Sequence, residues 1–157
     1  MAKPLLPHFV ADVMVGRLAR WLRILGFDVL YSNRFADDAL IALARSGRIL
    51  LTRDIPLAAR LPEDKVVVIQ HDHYEQQIRQ VLRRFPDLPV RVLSRCLECN
   101  ELLRQVDRET IFERVPPYVY LTQQDFAVCP SCGRVFWKGT HTGEMLAKIR
   151  RWTSEIP

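Results

Sequence analysis

Glycine is scarce in this chain, with 6 in 157 residues. A loop that cradles phosphates with its backbone needs several glycines close together. A nucleotide-binding loop is therefore disfavoured, and no G-x-G-x-x-G, Walker A or G-x-S-x-G sequence occurs. Lysine is rare too: of the 23 basic residues, 19 are arginine. No run of roughly 18 apolar residues exists, which excludes a helical membrane span. The opening MAKPLLPHFV has one lysine and two prolines ahead of a strand-like stretch. That is too short and too broken for a signal peptide, so a cytosolic, cytoplasmic protein is expected.

What is present describes a soluble globular chain, 48% apolar and 26% charged, of a length that fits one domain or two small ones. The net charge of +5 is unevenly spread: residues 1–92 hold 14 Lys/Arg against 10 Asp/Glu, and residues 93–157 hold 9 against 8. Arginine suits forked phosphate contacts. Nucleic acid is the partner class this favours, the alternative being a generally basic, solvated surface.

The first ninety residues alternate between strand-like and helix-like stretches. HFVADVM (8–14) reads as a strand and VGRLARWLRILG (15–26) as a helix, with Val15, Leu18, Ala19, Leu22 and Leu25 at i, i+3, i+4, i+7 spacing and Gly26 as its stop. DVLYS (28–32), RILLT (48–52) and KVVVIQ (65–70) read as three more strands. DDALIALARSG (37–47), PLAARL (56–61) and YEQQIRQVLRRF (74–85) read as helices between and after them. Continuously apolar strands separated by helices imply βαβ units and a parallel sheet of about four strands, covered on both faces: an α/β three-layer sandwich. PDLPVRVLSR (86–95) reads as a linker that adds an edge strand. The expected division is a first domain over 1–92 and a second over 93–157, the latter with a short helical piece within 101–115 and a closing amphipathic helix at 142–152. Met145, Leu146, Ile149 and Trp152 share one side of that helix.

Cysteine occurs at four positions, in the pairs CLECN (Cys96, Cys99) and CPSCG (Cys129, Cys132). Each C-x-x-C presents two sulfurs from one tight turn, and four such thiolates make a structural zinc site. Asn100 and Gly133, directly after the second cysteine of each pair, tolerate the left-handed backbone that turns N–H groups toward sulfur. DFAVCPSCGRVFWKG then reads as two short strands flanking a knuckle, a zinc ribbon. Disulfides, disfavoured in the cytosol, and redox chemistry are the competing uses. The 29 residues between the pairs exceed the usual roughly 15–20, so an insertion is expected across 101–125. A four-cysteine site is closed, so its zinc would hold structure and perform no chemistry.

Three acids share one topological place. Asp12 ends the first strand, Asp37 opens the helix after the second, and Asp54 follows the third. All lie at the carboxyl edge of a parallel sheet, where ligands bind. Converging carboxylates repel unless a cation sits between them, and hard ions such as Mg²⁺ or Mn²⁺ take such oxygens. Asp37 or Asp38, and Asp54, also have a plain use as helix caps; Asp12 follows FVA within a core strand, where an unpaired buried carboxylate would be costly. Arg17, Arg20 and Arg23 run along one flank of the first helix, and Arg53 adjoins Asp54. Beside an acidic metal site such arginines would hold a nucleic-acid backbone; otherwise they form a solvated face. Asp72, within HDH (71–73) after the fourth strand, offers a further acid at the same edge.

The stretches FVADVMVGRLARWLRILGFDVLY, DDALIALARSGRILLTRD, RCLECN and CPSCGRVFWKGTH together resemble the Mut-seven C-terminal RNase family across about residues 8–146. The resemblance implies a PIN-like nuclease domain followed by a zinc ribbon. It implies a metal-dependent ribonuclease whose Mg²⁺ or Mn²⁺ is held by Asp12, Asp37 (preferred over Asp38) and Asp54, with Asp72 as the available fourth acid. Arg17, Arg20, Arg23 and Arg53 would contact the RNA, with tRNA and the ribosome among the partners in view. The alternative is a non-catalytic RNA- or ribosome-binding module that keeps the fold.

Overall fold

Alternate residues of the first strands enter two different cores. Phe9, Ala11 and Leu51 pack on one face of a sheet, and Val10 and Leu50 on the other. This is the two-residue period of a strand buried on both sides. The computed structural model describes residues 6–140 and 142–154; part of the stretch judged against a signal peptide, and the last residue of CPSCGRVFWKGTH, lie outside the described residues. Four parallel strands, β1 (Phe9–Ala11), β2 (Val29–Tyr31), β3 (Ile49–Thr52) and β4 (Val66–Val68), form one sheet in the order β2-β1-β3-β4. Helices α1 (Gly16–Ile24) and α4 (Tyr74–Arg84) cover one face; α2 (Asp37–Arg45) and α3 (Ile55–Ala58) cover the other. The expected α/β three-layer architecture is the one observed. Because β1 leads to β2 on one side and β3 lies on the other, the strand order reverses between β1 and β3, and a crevice at their carboxyl ends follows. No helix among the described residues is long and apolar enough to cross a membrane.

Strand β1 is shorter than its apolar run. The Asp12 carboxylate accepts the Met14 N–H at 2.8 Å and turns the chain into a 3-10 turn over Val13–Val15. The linker adds no edge strand. Instead the N–H groups of Arg91 and Leu93 donate to the carbonyls of Leu25 and Ile24, which α1 leaves unpaired at its end. Gly26 permits this strap: its φ is +95°, and a Cβ there would stand 2.5 Å from the Arg91 carbonyl.

The second sheet is antiparallel: β5 (Arg104–Val106), β6 (Phe126–Val128) and β7 (Val135–Phe136), in that order. The short helical piece expected within 101–115 is a 3-10 helix over Arg108–Arg114, preceded by the strand β5. With α5 (Pro117–Thr122), that segment packs on β6 around a small core of Ile111, Val115, Val119 and Phe126. The last helix, α6 (Thr142–Ser154), follows the ribbon in the chain and packs on the α/β half beside α4. Ile149 and Trp152 enter the core of the α/β half, where Trp152 meets Trp21 edge-on at 5.0 Å and Trp21 stacks on Tyr74 at 5.8 Å.

A polar seam joins the two sheets. The Asn100 side chain accepts the Val29 N–H at 2.9 Å and donates to Asp28 at 2.7 Å. Arg95 donates to the carbonyls of Gly26 and Asn100. Burial pushes the Asp28 carboxyl up, but hydrogen bonds from Arg48 and Asn100 outweigh it and hold that group below its ordinary value.

Candidate active site and zinc centre

The carboxyl ends of β1 and β3 meet through one hydroxyl. Thr52, wholly buried at the end of β3, donates from Oγ1 to Asp12 Oδ2 and accepts the Asp54 backbone N–H at 2.9 Å. Asp12 is itself buried, 5% exposed, and its Oδ1 takes the Met14 N–H. Asp54 Oδ1 accepts the Leu57 N–H at 3.0 Å as the N-cap of α3. Both acids thus cap a turn and stand at the switch point together. Capping does not exhaust them, because an ionised carboxylate has about four acceptor positions.

The remaining acids are placed differently. Asp37 is the exposed first residue of α2, and its neighbour Asp38 pairs with Arg60 at 2.8 Å. Asp12, Asp37 and Asp54 do not close into a tight triad. Among the described residues the four cysteines are the one set of three or more His, Cys, Asp or Glu whose ligand atoms all lie within 4.8 Å of one another. Asp72 does not complete the acidic set either: its side chain is 96% exposed and pairs with Arg53 at 2.5 Å. Opposite charge explains this, since Arg53 also donates to the His71 carbonyl and so fastens the loop after β4.

The arginines separate in the same way. Arg17 and Arg20 are exposed on α1, with the Arg17 guanidinium 3.8 Å from the centre of the Tyr74 ring. Arg23 leaves that flank. It is 6% exposed, its Nε donates to the Val29 carbonyl at 2.9 Å, and Nη1 donates to Leu97 at 2.7 Å and Glu98 at 3.4 Å. Burial lowers its pKa. A side chain spent on three carbonyls fastens α1 to the first cysteine turn and is not offered to a phosphate. Between α1, the residues after β2 and that turn lies a groove of about 610 Å³. Gly16 sits at its floor, where a Cβ would come 2.6 Å from the Tyr31 hydroxyl.

Both cysteine turns have the geometry of knuckles. The Cys99 and Cys132 N–H groups point at the sulfurs of Cys96 and Cys129, at 3.4 and 3.5 Å. Asn100 (φ +66°) and Gly133 (φ +76°) return their N–H groups to the carbonyls of Cys96 and Cys129. Cys96 and Cys132 sulfurs stand 3.8 Å apart. Four thiolates around zinc at about 2.3 Å give roughly that tetrahedral edge, so the residues fit the ion. The protonation of the free thiols is uneven. The Cys99 thiol is pushed up to about 12 by its hydrogen bond with Cys132 and then by burial, while the Arg134 backbone N–H chiefly holds Cys132 down to about 7. Adjacent thiols cannot all ionise without a cation, and zinc removes that conflict.

The Mut7-C RNAse domain model matches residues 7–149, nearly the whole chain. This chain belongs to the Mut7-C RNAse domain family. No curated protein and no solved structure gives a match. Membership makes the chain RNase-related, with RNA as the substrate class, and it spans both the α/β half and the cysteine-bearing half. Thr52 and Asn100 carry contacts that local sequence does not show: Thr52 is legible there only as the end of a strand, and Asn100 only for its backbone, whereas its side chain joins the two halves.

Proposed function

We propose that this Mut7-C domain is a metal-dependent ribonuclease whose active site is built on Asp12 and Asp54, with Asp37 as a third carboxylate from the opening of α2. The observation that carries this reading is the Thr52 hydroxyl, which ties a buried Asp12 to Asp54 at the switch point of the sheet. Mg²⁺ usually keeps several waters and takes one or two carboxylates plus substrate phosphate, so this donor set fits it, or Mn²⁺, without a closed triad. When bound, such an ion activates water and neutralises charge at a phosphodiester. The chain's own part is to hold the Asp12 carboxyl fixed through the Met14 N–H and Thr52, and to keep Asp54 against the start of α3. Arg17 and Arg20 bind the RNA backbone on the neighbouring helix. RNA is the substrate, with tRNA and the ribosome as the partners in view, and zinc serves structure. Four cysteines kept as thiolate ligands suit a reducing cytoplasm.

The test is incubation of the purified protein with single-stranded and structured RNA, with and without Mn²⁺. Asp12→Asn and Asp54→Asn should abolish Mn²⁺-dependent cleavage. Asn retains capping ability, so Asp54→Asn should keep the wild-type thermal midpoint in the absence of Mn²⁺. Mn²⁺ at a hundredfold excess over its Kd should stabilise the wild type by about 2.7 kcal/mol and the variant much less. An equal response of both would return Asp54 to a cap. RNA binding with no turnover under any metal would favour the non-catalytic binding module.

A further inference from the structure

The groove beside α1 has one wall from each half of the molecule, and its charges are arranged around a single exposed ion pair. Arg17 and Arg20 line it from α1, Ser32 and Asn33 from the residues after β2, and Leu97 and Glu98 from the first cysteine turn. Arg20 Nη1 stands 3.9 Å from Glu98 Oε1, with both side chains more than half exposed. The groove opens at the same sheet edge as Asp12: Ala11 and Tyr31 are register partners that end β1 and β2, and Asp12 and Ser32 directly follow them. Its volume of about 610 Å³ lies within the roughly 300–1,000 Å³ of small-ligand sites.

We propose that this groove binds one nucleotide of the RNA beside the scissile position, its phosphate on Arg17 and Arg20, and that Glu98 of the zinc knuckle is a counter-ion which the phosphate displaces. The proposal rests on the ribonuclease reading above and names a subsite of it. Two exposed guanidinium groups and one carboxylate leave a positive balance, which selects a phosphate-bearing occupant. The exposed Arg20–Glu98 pair is weak and so is readily exchanged. The exposed Asn33 amide lies within reach of a sugar or base edge, as single-stranded RNA recognition requires. Arg23 keeps the wall in place through the Leu97 and Glu98 carbonyls, so the knuckle shapes RNA affinity although its zinc touches no RNA.

The experiment is fluorescence anisotropy with a short dye-labelled single-stranded RNA, titrated over a salt series in buffer free of Mg²⁺ and Mn²⁺. Arg20→Ala should weaken binding about threefold to tenfold at low salt and flatten the salt slope by about 0.7. Glu98→Gln should tighten binding about twofold to fivefold by freeing Arg20. Glu101→Gln, which removes the same charge outside the groove, should change affinity less than Glu98→Gln does. Equal effects of the two glutamate variants would overturn the counter-ion role. Wild-type affinity in both Arg20→Ala and Glu98→Gln, with Mn²⁺-dependent cleavage intact, would overturn the groove and leave the ribonuclease standing. A wild type that neither binds nor cleaves RNA would remove both.

Discussion

Thr52 brings no charge to the site, yet among the described residues its hydroxyl is the one group bonded to both Asp12 and Asp54. Buried carboxylates need partners, and a hydroxyl that donates to one acid while accepting from the backbone of the other positions both. Thr52→Val keeps the shape and removes that link. It should destabilise the fold by about 1–3 kcal/mol, because the Asp54 N–H is left without its acceptor. Cleavage or apparent Mn²⁺ affinity should fall about 10–100-fold, as when a group orienting a metal ligand is lost. Denaturation curves and a Mn²⁺ titration of activity check the two effects separately. A destabilised variant with unchanged Mn²⁺ dependence would leave Thr52 as a strand-end hydrogen bond only. The same scale explains why Arg23 parts from Arg17 and Arg20. Arginine spacing along a helix shows which residues are neighbours, but Arg23 faces the incoming cysteine turn, whose carbonyls capture it.

At the scale of elements, α6 shows how far chain order misleads. It follows the ribbon in sequence, yet Trp152 is 1% exposed and buried against Trp21 and Tyr74 of the α/β half. Its Lys148 reaches the Tyr74 hydroxyl at 3.0 Å, on the ring that also carries the Arg17 guanidinium. Trp152→Ala should therefore cost about 3–5 kcal/mol of stability in the α/β half, with the cysteine sheet unaffected. Urea unfolding followed by near-UV circular dichroism, with zinc content measured in parallel, checks this. Loss of zinc with an unchanged midpoint would place α6 with the ribbon. The apolar side of α6, Met145, Leu146, Ile149 and Trp152, is evident from its 3.6-residue period. Which core it enters is not, because both halves offer apolar surface.

For the whole molecule the seam between the halves matters most. The first cysteine turn is fastened to α1 by Arg23 and to β2 by Asn100, so a zinc ion held there would have consequences beyond the ribbon. Removal of zinc by a chelator should unfold the small sheet, whose core is four buried residues, since structural zinc supplies folding energy directly. The Val29 amide should also lose protection, because Asn100 is its acceptor. The wholly buried Leu51 and Ile78 should keep theirs. Hydrogen exchange with and without chelator reads this out. Uniform protection across β2 after zinc loss would show the seam to be independent of the metal.

The parallel α/β sandwich, the knuckles and the closing helix are legible in the amino-acid sequence, because apolar periodicity and C-x-x-C spacing are local signals. The sequence also places Asp12 and Asp54 at the carboxyl edge, since each directly follows or nearly follows a strand end. That these two share Thr52 while Asp37 stands exposed, that Arg53 pairs with Asp72, and that Arg23 serves the seam all come from the packing of distant elements. So does the strapping of α1 by 86–95, which extends no sheet. These outcomes depend on which element arrives beside a side chain from far along the chain, and a carboxylate or guanidinium takes whichever partner burial brings within hydrogen-bonding distance.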